Sequence, residues 1–504
     1  MRTTANALTF LMRLASSNAR HLISTGSGCI THSASPTLPR TSRSRNVHRC
    51  SCFSTCVTRK SHRPQAEAYF SRCFSPTFNL SLEEHLFRTR PSHIPVCLIY
   101  RNSPCVVLGR NQNPWKELDV LEMRRLGLQW VRRRSGGGAV YHDLGNVNYS
   151  FHVDKADFLR STHSELVVRA LNAEPIGLQS PQPGSPSATD FLGTQAGAYV
   201  NGRNDICVRV RLGGGSDLSA NDGQAGPARP EAGDDESQLQ SELLGAERKV
   251  SGSAYKLINA RAYHHGTMLL SAQLSTLGSS LRPIRGEALQ SKGVASVPSP
   301  VVNLCAAYPH RAHALDAENF EQGVLKEFER TYGTAKVQHV EEDHPLVQNE
   351  RFLKGREEMK SWQWTHGQTP EFTHDLRYSN QVSAVVDGAL RDVDFTLHLH
   401  VKGGLVQQAK FDIQRAPSSM ISDTLREMAT KFVGVPYDVL ASAPRREGGT
   451  TRHAADARDP PQAAKALEQE AERSLEALGY TIGDLSQPRR NVLLDSVRWL
   501  KSSL

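Results

Sequence analysis

The chain has 504 residues, 22% of them charged, enough for two or three domains that each bury a core. Its net charge of +9 would suit a nucleic-acid binder, but residues 1–66 hold ten basic side chains and no Asp or Glu, so nine less ten leaves the remainder at −1. No run approaches the roughly 18 apolar residues of a membrane span, so neither nucleic acid nor membrane insertion is expected.

The first 66 residues are rich in Ser, Thr and Arg, and "MRTTANALTFLMRLASSNARHL" can wind into a basic amphipathic helix. That composition predicts a disordered mitochondrial transit peptide and a matrix location. Four of the nine cysteines lie there; Cys73, Cys97, Cys105, Cys207 and Cys305 are scattered without a C-x-x-C pair and read as reduced structural thiols.

Further along, "VCLIY" (96–100) and "CVVLG" (105–109), joined by "RNSP", read as a hairpin. Residues 116–128 carry Leu118, Leu121 and Leu128 at helical spacing, with an end near Gly127. "VNYSFHV" (147–153) predicts a strand, and 161–178 a helix capped by Ser or Thr. Residues 179–198 and 212–247 are Gly-, Ser- and Pro-rich and predict disordered insertions; the triplet Gly213–Gly215 falls in the second. A helix over 318–333 precedes a second domain, in which 394–413 predict two strands turning at Lys402-Gly403-Gly404. The reading divides the chain into 67–333, 334–440, a linker at 441–462 and a helical extension at 463–504.

Three stretches carry chemistry. In "RRRSGGGAVYHDLGN" (132–146), three arginines precede three glycines, whose backbone can approach an anion closely. It matches neither a P-loop nor a dinucleotide turn, so a structural turn and a phosphate or carboxylate site both stand. In "NGRND" (201–205), Asp205 suits Mg²⁺ beside a phosphate and Asn204 can bond a ligand, while an Asx turn before a strand explains the same residues. In "RKVSGSAYKL" (248–257), Lys249 precedes small residues and can reach into a pocket to neutralise a carboxylate and an α-phosphate.

Adjacent His264 and His265 should face opposite sides of a strand and so not share a pocket. His398 and His400 share the polar face of a half-solvated strand, a pattern that favours solvation over metal binding.

In order along the chain, "NLSLEEHLF", "VVLGRNQNPWKE", "RRRSGGGAVYHDLGN", "GRND", "RKVSGSAYK" and "HHGTMLL" resemble the lipoate–protein ligase A and lipoyltransferase family over about residues 75–333. "SWQWTHGQTPEFTH" (361–374) is similar to the start of its accessory domain. The resemblance implies an α/β (α+β) fold. Its catalytic domain would be biotin/lipoate ligase-like, a mixed, largely antiparallel sheet with flanking helices, and a small α/β accessory domain would follow.

The implied reaction joins lipoate and Mg²⁺-ATP into lipoyl-AMP, then passes the acyl group to a lysine. Acceptors would be lipoyl domains of 2-oxoacid dehydrogenase E2 subunits and the glycine-cleavage H protein; the enzyme would be a monomer. Carried over by position, Lys249 is catalytic and touches both ligands, and Asp205 faces the metal. Arg133, Gly138, Ala139, Val140, Tyr141 and Asn204 would bind ATP, while Ser135, Gly136, Gly137, His142 and Lys256 would bind lipoate. Arg134 and Lys256 depart from the family's usual small residue and arginine. No Ser-His-Asp set is visible in these blocks. Two rival readings share the pattern: an amidotransferase moving lipoyl or octanoyl groups between carrier proteins without ATP, and a non-catalytic lipoyl-domain adaptor, which would have no use for Lys249 and Asp205.

Overall fold

The computed structural model describes residues 65–179, 197–210, 246–281, 288–379, 389–441 and 460–503. Most of the expected leader, both glycine-rich insertions save their ends, and the core of the expected linker therefore lie outside the described residues. Ala66, expected in the leader, opens a strand and has no exposed surface, and Ala246 and Glu247, expected in the second insertion, start another.

From the N-terminal side, β1 (Ala66–Ser71) leads into α1 (Pro76–Thr89), which Ser75 caps by accepting from the Phe78 amide. Then come β2 (Val96–Tyr100), β3 (Cys105–Leu108), α2 (Pro114–Glu117), α3 (Val120–Arg125), β4 (Gln129–Arg132), β5 (Val140–His142) and β6 (Asn146–Asp154). After α4 (Arg160–Asn172) the strands β7 (Tyr199–Val200), β8 (Ile206–Val210), β9 (Ala246–Ser251), β10 (Ser253–Ile258) and β11 (Arg261–Leu269) follow. Next are α5 (Leu274–Ser280), β12 (Leu289–Ser291), α6 (Leu304–Ala307), α7 (Ala317–Tyr332) and β13 (Ala335–Val340). The last stretch holds α8 (Glu350–Lys360), α9 (Trp362–Thr365), β14 (Phe372–Tyr378), β15 (Asp394–Lys402), β16 (Leu405–Arg415), α10 (Ser419–Phe432), α11 (Tyr437–Leu440), α12 (Pro460–Ala477) and α13 (Gln487–Ser503).

A six-stranded sheet ordered β10-β11-β6-β2-β1-β13 forms the frame, antiparallel from β10 to β2 and parallel across β2, β1 and β13. Helices α4 and α7 close one face over Tyr149, Phe151, Phe320 and Phe328, and α1 covers the other with Phe78, Leu82 and Leu86. Two three-stranded sheets, β4-β3-β5 and β7-β8-β9, flank it. This is the mixed, largely antiparallel α/β arrangement expected.

The expected hairpin at 96–109 does not form. β2 joins the large sheet and β3 a small one. The linking Asn102 is fully buried and bonded to Asn79, so "RNSP" spans between layers instead of turning at the surface. Both strands are buried at every position, without the alternation of a half-solvated hairpin. The helix expected over 116–128 breaks at Leu118, because Asp119 caps a new start by accepting from the Glu122 amide at 2.8 Å. Helix α4 begins at Arg160, without the side-chain cap expected from Ser or Thr.

The domain division also shifts. The frame sheet runs past 333 to include β13. Conversely β12, inside the expected catalytic segment, pairs with β14 and completes the accessory sheet β12-β14-β15-β16. The residues expected to form a separate C-terminal extension bury Leu475, Val492, Leu493 and Trp499 in that domain's core, Trp499 standing 4.8 Å edge-on to Phe395. On the sheet's polar face His398 and His400 meet Asp375 and Glu371 at 2.9 and 2.7 Å.

Candidate active site

Strand β9 carries Lys249 with its backbone gripped from both sides. Cys207 of β8 is its register partner, its amide donates to the Pro300 carbonyl at 2.9 Å, and its own carbonyl accepts from Val302 at 3.1 Å. The ammonium ends 2.8 Å from Asp205 Oδ1. The lysine tip lies close over Gly252, where a β-carbon would meet Cε at 3.3 Å and Nζ at 3.4 Å. Asp205 is presented by a turn in which Asn201 Oδ1 accepts from the Arg203 and Asp205 amides at 3.0 and 3.1 Å, with Asn204 in the left-handed region at φ 61°. The Asx turn and the site are thus one structure.

Opposite stands the glycine bend, and Arg133 is its internal brace. The guanidinium, on a side chain within a residue only 4% exposed, donates to Ser135 Oγ (2.9 Å) and to the carbonyls of Val107 (3.2 Å), Gly136 (2.6 Å) and Gly138 (2.8 Å). Burial lowers its pKa to about 10, which still leaves it charged at neutral pH. It therefore shapes the loop and puts a positive charge behind it. Gly109 must lack a side chain, since a β-carbon there would lie 1.9 Å from the Gly137 carbonyl oxygen.

Between Lys249 and the bend lies a cavity of about 380 Å³. Nine of the residues expected at the site border it: Arg133, Gly137, Gly138, Ala139, Val140, His142, Asn204, Asp205 and Lys249. Four do not. Tyr141 points the other way, into a cluster with Val106 and Leu108, because successive residues of β5 face opposite sides and Val140 and His142 take the cavity side. Gly136 spends its carbonyl on Arg133. Lys256 is buried against α1, its ammonium 2.7 Å from Glu84 Oε2. Ser135, 1% exposed, lies between Arg133 and His265 Nε2, the latter at 2.8 Å.

His265 in turn holds Glu83 through Nδ1 at 2.9 Å. A Ser-His-Glu series thus exists that the sequence blocks did not show. Ser135 does not border the cavity and its oxygen already accepts from Arg133, so the series braces the bend rather than supplying a nucleophile. His264 and His265 both border the cavity, contrary to expectation, although their rings diverge: His264 packs toward Tyr149 and His163.

The neighbouring arginines serve another end. Arg132 is wholly buried and donates to the carbonyls of Gln112 (2.7 Å) and Thr365 (2.9 Å) and to Thr369 Oγ1 (3.2 Å). Arg134 stacks 4.3 Å over Trp364 and pairs with Glu358 at 2.7 Å. Both tie the strand that leads to the bend onto α8, α9 and the residues just after them. Sequence reasoning also missed Ser296, whose hydroxyl accepts from the Ala139 amide at 2.9 Å, and the rim residues Arg160 and Arg203. Ser296 sits in a Ser- and Pro-rich run with no residue type that signals chemistry.

A cationic amine and a carboxylate facing a braced glycine bend define a pocket for an anionic ligand of moderate size. Residues 75–329 match the model of the lipoyl protein ligase A/B catalytic domain, so the chain belongs to that family and is an enzyme that ligates lipoate to proteins. It is 27% identical to the lipoate-protein ligase A of Blochmanniella floridana over 371 residues, 74% of this chain and 89% of that protein. To the lipoate-protein ligase A of Blochmanniella pennsylvanica it is 28% identical over 368 residues, 73% and 88% of the two chains. Among solved structures, P. falciparum LipL1 in complex with lipoate is similar at 21% identity and a TM-score of 0.43, covering 72% of this chain and 88% of that one.

Proposed function

We propose that the chain activates lipoate with ATP and passes the lipoyl group to a lysine of lipoyl domains, on 2-oxoacid dehydrogenase E2 subunits and the glycine-cleavage H protein, as a monomer in the mitochondrial matrix. The observation that carries the reading is the Lys249 amine, held against a cavity whose far wall is the glycine bend. A carboxylate is a poor acyl donor, because its leaving group would be an oxide. In the first step a lipoate oxygen bonds to the α-phosphorus and pyrophosphate leaves. In the second the acceptor amine, having lost a proton, bonds to the carbonyl carbon and AMP leaves. Two anions must meet in the first step, so Lys249 beside them and the buried charge of Arg133 behind the bend offset their repulsion and stabilise charge developing on the reacting oxygens.

Asp205, the carboxylate bordering the cavity among the described residues, suits an ion of the Mg²⁺ type, which takes one or two protein carboxylates and otherwise phosphate oxygens. Such an ion would supply further neutralisation of the phosphates. The composition of residues 1–66 supports the matrix location, and fusing them to a fluorescent reporter tests it.

The deciding measurement is pyrophosphate release from the purified chain given lipoate and ATP. Release dependent on lipoate is expected. None, alongside transfer from a lipoylated H protein, would replace this reading by the ATP-independent amidotransferase.

A further inference from the structure

A chain of buried side chains runs from β1 to the cavity. Ser71 Oγ donates to Asn79 Oδ1 at 2.5 Å. The other end of that amide, Nδ2, meets three oxygens: the carbonyls of Cys73 (2.8 Å) and Arg101 (2.9 Å) and Oδ1 of Asn102 (2.8 Å). Backbone carbonyls only accept, so the atom among them must be the nitrogen. Its two protons are shared among three oxygens, and an Asn102 nitrogen in the third place would set donor against donor, so Asn102 turns its oxygen toward it. That leaves Nδ2 of Asn102 facing Nδ1 of His142 at 2.9 Å. An amide nitrogen only donates. Nδ1 of His142 therefore accepts and carries no proton, and the neutral ring holds its proton on Nε2. A ring protonated at both nitrogens would set two donors face to face.

Asn79 and Asn102 have no exposed surface and His142 is 3% exposed, so water does not compete for these bonds. Burial and the nearby Arg133 charge also push the His142 pKa down, to about 3. Its Nε2 has no hydrogen-bond partner among the described residues, and the residue borders the cavity. A buried N–H without an acceptor costs about 1–3 kcal/mol, which a ligand oxygen can offset.

We propose that Ser71, Asn79 and Asn102 are a positioning relay that fixes His142 in its Nε2–H form, so that it donates a hydrogen bond to an oxygen of the bound acyl or phosphoryl group. The identity of that group rests on the adenylation reading; the proton's position does not. A neutral donor adds no third cation beside Arg133 and Lys249, and it strengthens its bond as negative charge builds on the oxygen without surrendering its proton.

The test is long-range ¹H–¹⁵N NMR of the full chain carrying ¹⁵N-histidine, with the His142 signals identified by their loss in His142→Gln. Nε2 should be protonated and Nδ1 bare from about pH 8 to about pH 5, and the Nε2 proton should shift when lipoate or ATP is added. Asn102→Asp, equal in size, offers an acceptor and should move the proton to Nδ1; lipoate-dependent pyrophosphate release should then fall on the order of 100-fold, with unchanged circular dichroism. His142→Gln, which keeps an N–H, should retain more activity than His142→Ala. A wild-type ring protonated on Nδ1 overturns the relay, and so does an Asn102→Asp enzyme whose proton has moved while release is undiminished. Should the wild-type chain release no pyrophosphate, the adenylation reading fails by itself, and the spectrum with its response to lipoate still decides the relay.

Discussion

At the residue scale, the pairing of Lys249 with Asp205 governs what substitution should reveal. Removing the amine leaves the Asp205 carboxylate, only 8% exposed, with Arg203 Nε 3.9 Å from its other oxygen and the emptied cavity beside it, so Lys249→Ala should still fold but with some loss of stability. Acyl transfer should fall by roughly 100- to 1,000-fold, the cost of losing one preorganised donor to developing charge; a folded mutant with undiminished transfer would remove the amine from the mechanism. Lys249 and Asp205 stood out in the sequence because charged residues beside small residues and turns announce themselves, whereas Arg133 was singled out among three arginines only by the family resemblance. Tyr141 was misplaced because a motif reads as a continuous string, whereas a strand deals its side chains alternately to two faces. Asn102 gave no signal at all. An asparagine in a short link looks like a surface turn residue, and only the packing of β1, α1 and β5 around it shows that its amide is buried and oriented.

At the element scale, the "RRRSGGG" stretch divides its labour: Arg132 and Arg134 anchor the approach to α8 and α9, while Arg133 folds the bend. The sequence left a structural turn and an anion site both open for this cluster, since composition does not tell which way three consecutive side chains turn. The bend also presses on the end of β3. Gly109→Ala would place a methyl carbon against the Gly137 carbonyl, a backbone atom that cannot swing aside as a side-chain tip would. The loop must then shift, and a displacement of about 1 Å in a positioning element costs on the order of 100-fold in rate. Steady-state kinetics beside a thermal melt test this: activity should drop far more than stability. Long periodic elements such as α7 and the β15–β16 pair were readable as strings, because their repeats match the elements themselves. The 96–109 pair misled, because two buried strands look alike whether they pair with each other or with different sheets.

For the whole molecule, the buried histidines His142, His152, His163 and His264 among the described residues set an acid limit. Burial lowers His142 and His264 to about 3 and His163 to about 4, and pushes His152 well below the usual 6.5. Below about pH 6.5 the unfolded chain binds protons that the folded one refuses, so stability is complete above that value and lost as pH falls toward 4. Each ring contributes a slope of up to about 1.4 kcal/mol per pH unit. Urea midpoints from pH 7 to 4.5 should show the decline, and His264→Asn should flatten it; a midpoint independent of pH would contradict the burial of neutral rings.

Deleting residues 460–504 should strip Leu475, Leu493 and Trp499, the last of them packed on Phe395, from the accessory core and leave that domain sensitive to protease while α1 to α7 stay resistant. Because β12 leaves the catalytic portion to edge the accessory sheet before the chain returns through α7 and β13, the two halves are stitched rather than strung in series. A cut at any single joint after β12 would hand one piece a stray ribbon and the other a raw flank, so the two pieces made separately are expected to fold less well than the whole.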